Sequence, residues 1–146
     1  MRATGSTPIR IDSRAVAKAE AALAAMAVNF EEWLQAEITR LNSAMSLVQA
    51  EGRSEANMEA LYHRAHDLKG LGATYGYPII SQIAGTLCRL IDKPEKRLSA
   101  PLPLVEVHVE AIKAAVRNKI TTDENEVGRA LVQELEAKVE AFDPEG

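Results

Sequence analysis

Residues 55–75 read EANMEALYHRAHDLKGLGATY, and this stretch decides the fold. Its apolar positions recur every three or four residues, which predicts an amphipathic helix with one face in a core. Ser54 can cap the start of this helix, and Gly76 can end it after about Tyr75. The inward positions are Met58, Leu61, Ala65, Leu68 and Gly72.

The same spacing upstream predicts two further helices. Asp12 or Ser13 can cap a first helix to about Val28, and Asn29 can cap or kink the start of a second. The second runs to about Ala50, before Gly52, with its apolar face at Trp33, Leu34, Ile38, Leu41, Met45 and Val48.

Downstream, Pro78 fits the first turn of a fourth helix, and residues 93–103 form a polar connection that contains prolines. A fifth helix is predicted from Leu104 to about Ile120, and Thr121 or Thr122 can cap a sixth. The inward residues of the fourth helix are Ile79, Ile80, Ile83, Leu87, Leu90 and Ile91, and those of the sixth are Val127, Leu131, Leu135, Val139 and Phe142.

Long helices with short connections predict an all-α fold, an up-down antiparallel four-helix bundle with additional N- and C-terminal helices. The 146 residues are 47% hydrophobic, which suits one domain. We assign residues 1–11 to a flexible tail and 12–146 to a single helical domain. The bundle core then covers about 29–120, and the extra C-terminal helix covers about 122–142.

Composition and charge exclude several classes of function. A net charge of -4 argues against nucleic-acid binding, which needs a basic face. The single cysteine, Cys88, gives no internal disulfide, and no apolar run reaches the roughly 20 residues of a membrane span. We therefore expect a cytoplasmic monomer that contacts neither nucleic acid nor membrane.

His66 is the candidate reactive residue of the predicted third helix. A helical wheel places it about 130° from the centre of the apolar stripe, so it faces solvent. Tyr62, Lys69, Gly70 and Ala73 are its neighbours at helical spacing. Gly70 leaves room for another molecule, and the Lys69 ammonium can hold a phosphoryl oxygen. This arrangement suits an imidazole that accepts a phosphoryl group.

The run His66-Asp67-Leu68-Lys69-Gly70, with Gly76 six residues further on, resembles the signature of histidine-containing phosphotransfer (HPt) domains. Residues 74–77, Thr-Tyr-Gly-Tyr, are similar to a stretch common in the phosphotransfer domains of chemotaxis kinases. The resemblance covers roughly residues 33–117. It implies that His66 is phosphorylated, that Lys69 stabilises the phosphoryl group, and that Leu68, Gly70 and Gly76 complete the motif.

The chain departs from this pattern on the following helix. Family members often place Gln or Glu about 22 residues beyond the active histidine, and this chain has Cys88 there. Ser81, Gln82 and Arg89 are alternatives for orienting the imidazole, and the sequence does not choose among them. Cys88 lies among leucines, which predicts a buried and inert thiol.

The other histidines have plainer interpretations. We expect His63 on the solvated surface, or with Tyr62, Gly70 and Ala73 at the rim of a partner contact, and we expect a structural role for His108. His63, His66 and Asp67 lack the further ligands of a metal centre, so no metal and no cofactor is expected. Any Mg²⁺ for the transfer should be bound by the receiver partner.

Three functions stay open on the sequence. The first is a phosphorelay intermediate without kinase activity, which carries a phosphoryl group on His66 between the aspartates of response-regulator receiver domains. The second is a detached phosphotransfer domain of a chemotaxis-type histidine kinase, phosphorylated by that kinase. The third is a helical adaptor that is not phosphorylated. The chain has no Gly-rich loop that would bind ATP.

Overall fold

The computed structural model of the protein describes residues 12–144, and six helices lie within that range. The expected flexible tail, residues 1–11, lies outside the described residues. The helices are α1 Ser13–Glu51, α2 Glu55–Leu71, α3 Pro78–Ile91, α4 Pro94–Ser99, α5 Leu102–Arg117 and α6 Glu126–Phe142.

The bundle helices are α1, α2, α3 and α5, which form an up-down antiparallel bundle and confirm the predicted fold class. The C-terminal part of α1 packs against α2 and α5, and α3 packs against α2, α5 and α6. The additional helix α6 thus covers α3 and α5. Fully buried aliphatic side chains from every bundle helix fill the core, among them Leu34, Leu41, Leu61, Leu68, Ile83, Leu87, Leu90 and Ile112.

The expected break at Asn29 is wrong, because α1 is a single helix of 39 residues. The Asp12 side chain caps it by accepting a hydrogen bond from the Arg14 N–H. Between the cap and Gly52 the sequence contains neither Gly nor Pro, so nothing interrupts the backbone hydrogen bonds. Residues 12–29 are all exposed, and the first buried side chain of α1 is Leu34.

Trp33 does not face the core as the sequence pattern predicted, since half of it (50%) is exposed. Its ring centroid lies 5.7 Å from that of Phe30 and 5.9 Å from that of Tyr75. Phe30, Trp33 and Tyr75 therefore form an aromatic cluster at the surface, where α1 passes the end of α2.

The C-terminus of α2 ends in a turn around Gly76. The Tyr77 N–H donates to the Gly72 carbonyl at 2.8 Å, and the Gly76 N–H donates to the Ala73 carbonyl at 3.1 Å. These two bonds are the pattern of a Schellman motif, which needs a residue with positive φ. Gly76 has φ +91°, so the expected helix-ending glycine stands at that position.

The connection expected over residues 93–103 contains the short helix α4. Pro94 occupies its first position, and Lys96 on it is buried between two carboxylates, 2.8 Å from Asp92 and 2.6 Å from Asp143. Burial lowers the pKa of Lys96, but its hydrogen bonds with Asp143 and Asp92 outweigh this effect and raise the pKa overall. These contacts hold α4 against the end of α3 and against Asp143, the residue that follows α6.

Helix α5 begins two residues earlier than predicted and ends at Arg117. Helix α6 is capped by Asn125, whose side chain accepts from the Gly128 N–H, and not by Thr121 or Thr122. The side chain of Thr122 accepts from the Glu124 N–H in the preceding turn.

The buried face of α6 also differs from the expected one. Gly128 faces the bundle, where an added Cβ would stand 2.8 Å from Ile79 Cδ1 and 2.9 Å from Ile120 Cγ2. Leu135 and Val139 are buried as predicted, and Leu131 and Phe142 are partly buried. The close approach at Gly128 turns Val132 inward and leaves Val127 exposed.

No helix within residues 12–144 is both long enough and apolar enough to cross a membrane.

Candidate functional site

His66 lies on the exposed face of α2, one turn before the helix approaches its end. Its neighbours Ala65 and Leu68 are fully buried against the bundle core. The 3.6-residue repeat of the helix therefore turns the imidazole outward. The predicted solvent-facing position of His66 is confirmed, whereas its phosphorylation stays a prediction.

The surface beyond His66 is open. No described atom outside the helix backbone lies within 4 Å of the position that a Cβ at Gly70 would take. Gly70 and Ala73 are both exposed. The Ala73 N–H donates to the Ser81 hydroxyl at 2.8 Å, which holds the end of α2 against α3. A partner can therefore approach the α2 backbone on this side of His66.

Lys69 follows His66 by three residues on the same exposed face. The methylene groups of its side chain lie 3.9 Å from the position of a Cβ at Gly85 on α3. Because Gly85 has no side chain, the Lys69 chain lies across α3 at this point. Spacing along the sequence does not predict this contact, because α2 and α3 meet only in the folded chain.

An aromatic ring and a guanidinium lie on the other side of His66. The centroid of the Tyr62 ring is 6.0 Å from that of the His66 ring, and the rings are tilted by 42°. The Arg97 guanidinium carbon lies 5.0 Å from the Tyr62 centroid, a cation–π distance. The Nε–H of Arg97 donates to the Ile91 carbonyl at 2.9 Å, which fixes the guanidinium over the ring.

None of the alternatives for orienting the imidazole does so by hydrogen bonding among the described residues. The Ser81 hydroxyl accepts from Ala73, Gln82 donates to Asp123 at 3.0 Å, and Arg89 donates to Glu140 at 2.7 Å. Tyr62 is instead the side chain whose ring lies beside His66.

Cys88 is buried on α3 as a free thiol. Burial raises its pKa to about 11, an effect that the nearby Lys69 charge opposes and the Asp92 charge adds to. The thiol is therefore protonated at neutral pH and a poor nucleophile, in agreement with its predicted inertness.

His63 is exposed at the rim of the site, with its Nε2 atom 3.5 Å from Glu59. Its ring lies 5.8 Å from that of Tyr62, so both belong to one surface. Residues 12–144 bring together no group of three or more His, Cys, Asp or Glu side chains that fits a metal ion.

Arg97 is the residue of this surface that sequence reasoning missed. It lies on α4, in a segment that the sequence describes only as a polar connection, and its contact with Tyr62 joins residues 35 positions apart. No local pattern predicts such a pair.

Comparison with known proteins agrees with the geometry. The family model described as Hpt domain matches residues 25–143, which include the C-terminal part of α1, the whole site and α6. Neither the comparison with curated proteins nor that with solved structures finds a match. Hpt domains are phosphocarrier modules of two-component signalling that interact with receiver domains and kinases and are not themselves kinases. The family model covers most of a helical bundle that presents His66, Lys69 and Gly70 on one open face. The chain therefore belongs to the histidine-containing phosphotransfer family.

Proposed function

We propose that the protein is a phosphorelay intermediate that carries a phosphoryl group on His66 between the aspartates of receiver domains. The observation that carries the proposal is the combination of an exposed imidazole with the open backbone at Gly70 on the same helix face. A receiver must bring its phosphorylated loop close to the helix, and the missing side chain permits this approach.

The transfer needs an unprotonated ring nitrogen of His66 as the nucleophile. This nitrogen attacks the phosphorus of the aspartyl phosphate and forms a nitrogen–phosphorus bond. The bond from phosphorus to the aspartate oxygen breaks, and the carboxylate leaves with the electron pair. Transfer to a second receiver reverses these steps on another aspartate.

Lys69 supplies positive charge as the phosphoryl group arrives. An ammonium beside the transferring group stabilises negative charge on its oxygens. We assign Mg²⁺ to the receiver partner, because carboxylates and phosphate oxygens are its preferred ligands. Tyr62, His63, Gly70 and Ala73 form the surface on which the receiver docks. We place this transfer in the cytoplasm.

Labelling experiments test the proposal. The protein is incubated separately with a labelled phosphorylated receiver domain, with a histidine kinase and ATP, and with ATP alone. We expect label from the receiver, on a residue whose phosphate is acid-labile and alkali-stable, and no label from ATP alone. Label only from the kinase would instead identify a detached phosphotransfer domain of a chemotaxis-type histidine kinase. No label from either donor would identify an adaptor.

His66→Gln and His63→Gln are the matched variants, since both histidines are exposed on α2 one turn apart. His66→Gln should fold normally and lose all label. His63→Gln should still become labelled, because His63 contributes to docking and does not form the bond to phosphorus. Label that persists in His66→Gln and disappears in His63→Gln would show that His63 is the phosphorylated residue and would overturn the assignment to His66.

A further inference from the structure

The short helix α4 is held in place by charged side chains. Lys96 lies between the carboxylates of Asp92 and Asp143. Arg53, in the connection between α1 and α2, donates to the Ala100 carbonyl at 2.7 Å, just beyond the end of α4. A helix of six residues is too short to be stable by itself, so these contacts determine where α4 lies.

This anchoring fixes the position of Arg97, which lies on α4 and faces α2. Its Nε–H donates to the Ile91 carbonyl at the end of α3, and its guanidinium carbon lies 5.0 Å from the centroid of the Tyr62 ring. Arg53 donates to three carbonyls of this segment, whereas the Arg97 side chain donates, among the described residues, only to Ile91. The five N–H groups of an arginine allow many more bonds, so fastening α4 does not account for Arg97.

Tyr62 connects Arg97 to His66. The Tyr62 side chain packs partly against the core. Helical side chains lean toward the N-terminus, so the His66 imidazole leans over the turn that begins at Tyr62, four residues earlier. The two ring centroids are 6.0 Å apart, a distance at which aromatic rings interact. The Tyr62 ring thus limits the positions of the imidazole on this side, and Arg97 limits the positions of the Tyr62 ring.

The other sides of His66 provide no comparable limit. Gly70 and Ala73 leave the surface toward the end of α2 open. The polar side chains of α3 that could have bound the imidazole form hydrogen bonds elsewhere. An exposed side chain changes rotamer within picoseconds to nanoseconds, and attack on phosphorus needs a ring nitrogen in one orientation. Within residues 12–144, contact with the Tyr62 ring is therefore the interaction that can select this orientation.

We propose that Arg97 is a positioning residue of the phosphotransfer site. Through the Tyr62 ring, it holds the His66 imidazole in the orientation in which a ring nitrogen meets the phosphorus. Arg97 acts through Tyr62 and does not touch the phosphoryl group. The inference rests on the proposed phosphotransfer, and it adds a residue from α4, outside the helix that contains the motif.

Label transfer from a phosphorylated receiver, measured over a range of receiver concentrations, tests this role. Arg97→Gln should lower the rate at saturating receiver by roughly threefold to thirtyfold, the range to which a cation–π contact corresponds. The half-saturating receiver concentration should stay unchanged. Arg64→Gln is the matched control, because it removes the same charge from α2 at about 160° around the helix from His66, and it should change neither quantity.

Arg97→Lys separates the position of the group from its charge. Lysine keeps the positive charge but lacks the planar guanidinium that stacks on a ring, so it should not restore the native rate. A native rate in Arg97→Lys would show that a charge near the site suffices, and it would overturn the positioning role.

A double-mutant cycle with Tyr62→Leu tests whether Arg97 acts through the ring. Each single variant should slow the transfer, and the double variant should be no slower than Tyr62→Leu alone. Effects that multiply would mean that Arg97 acts independently of Tyr62, contrary to the inference.

The order of the imidazole is measured directly by ¹³C relaxation of the His66 ring. The order parameter of its Cδ2–H bond should fall in Arg97→Gln and keep its native value in Arg64→Gln, well below the thermal midpoint of each variant. An unchanged order parameter in Arg97→Gln would overturn the inference. A raised half-saturating concentration at an unchanged maximal rate would also overturn it, and would assign Arg97 to docking.

Failure of the proposed function gives a different result. A native protein that accepts no label from a receiver would overturn the proposed function, and the role of Arg97 with it. Transfer at the native rate in Arg97→Gln would overturn only the role of Arg97.

Discussion

Lys69 is one turn from His66, and its ammonium is exposed while its stem rests on α3 at Gly85. We predict that Lys69→Ala slows phosphotransfer roughly tenfold to a hundredfold, because a charge-assisted contact to phosphate contributes about 1.5–3 kcal/mol. The bundle should keep its stability, since no buried contact is removed. Rapid-quench measurement of label transfer from a receiver, with thermal unfolding alongside, gives both quantities. An unchanged transfer rate would remove Lys69 from the site.

A substitution at Gly70 should change the stability of the helix and the access of a partner to His66 in opposite directions. We predict that Gly70→Gln leaves the thermal midpoint unchanged or raises it, because glycine in a helix costs on the order of 1 kcal/mol relative to better helix formers. Transfer from the receiver should fall sharply, because a long side chain then stands in the open space beside His66. Calorimetry and label transfer on the same preparation provide the comparison.

Two outcomes would contradict this assignment. Unfolding of Gly70→Gln would show that this position packs against another helix, and normal transfer would show that the receiver approaches His66 from a different side.

Two glycines at the contact of α2 and α3 should respond oppositely to substitution by alanine. At Gly72 a Cβ would stand 2.7 Å from the Ser81 backbone nitrogen and 3.1 Å from the Tyr77 carbonyl oxygen. We predict that Gly72→Ala destabilises the protein by about 1–3 kcal/mol, because backbone must move to admit the methyl group. At Gly85 the nearest atoms are 3.9 Å away. Gly85→Ala should therefore stabilise the protein by about 0.5–1 kcal/mol.

Urea unfolding of the two variants measures both changes. Equal effects of the two substitutions would mean that helix propensity, and not the space between α2 and α3, determines the result.

The helices that the sequence predicted well are those with a continuous apolar repeat and clear ends. Helix α3 has Pro78 at its first position, and the turn after α2 has Gly76 where positive φ is required. The sequence misled where a polar residue stands inside a helix, as Asn29 does in α1. It also misled at α6, where the direction of the helix depends on the space at Gly128.

The candidate site also has one part that the sequence predicts and another part that depends on how the helices pack. His66, Lys69 and Gly70 lie on one helix, so a helical wheel suffices to place them together. The contact of Arg97 with Tyr62 and that of Lys69 with α3 depend on how separate helices pack. Spacing along the chain contains no information about such contacts.

His108 makes the stability of the folded protein depend on pH. It is completely buried (0% exposed) in α5, with Nδ1 2.7 Å from the Leu104 carbonyl oxygen. Burial lowers its pKa, which the hydrogen bond to Leu104 opposes only in part. The folded protein therefore holds His108 neutral at pH values where the unfolded chain, in which the histidine has a pKa of about 6.5, already binds a proton.

The unfolded state binds one more proton than the folded state in this pH range. The stability contributed by neutral His108 is therefore fully present above about pH 6.5, and it declines as the pH falls below that value, by up to about 1.4 kcal/mol per pH unit. We predict that the difference in unfolding free energy between pH 7.5 and 5.5, from urea titrations, is smaller in His108→Leu than in the native chain. Equal differences in both proteins would exclude His108 as the source.

The Lys96 contact lowers the pKa of Asp143, so the stability that this carboxylate adds is lost only in more acidic solution.

Along α2, the residues that hold the bundle together and the residues that we propose meet a partner are different residues. Met58, Leu61, Ala65 and Leu68 are buried, and His63, Lys69, Gly70 and Ala73 are exposed beside His66. Exposed substitutions usually change stability by less than about 0.5 kcal/mol. After gene duplication, one copy can thus acquire a new receiver partner by drift at these exposed positions, and no compensating change in the core is required.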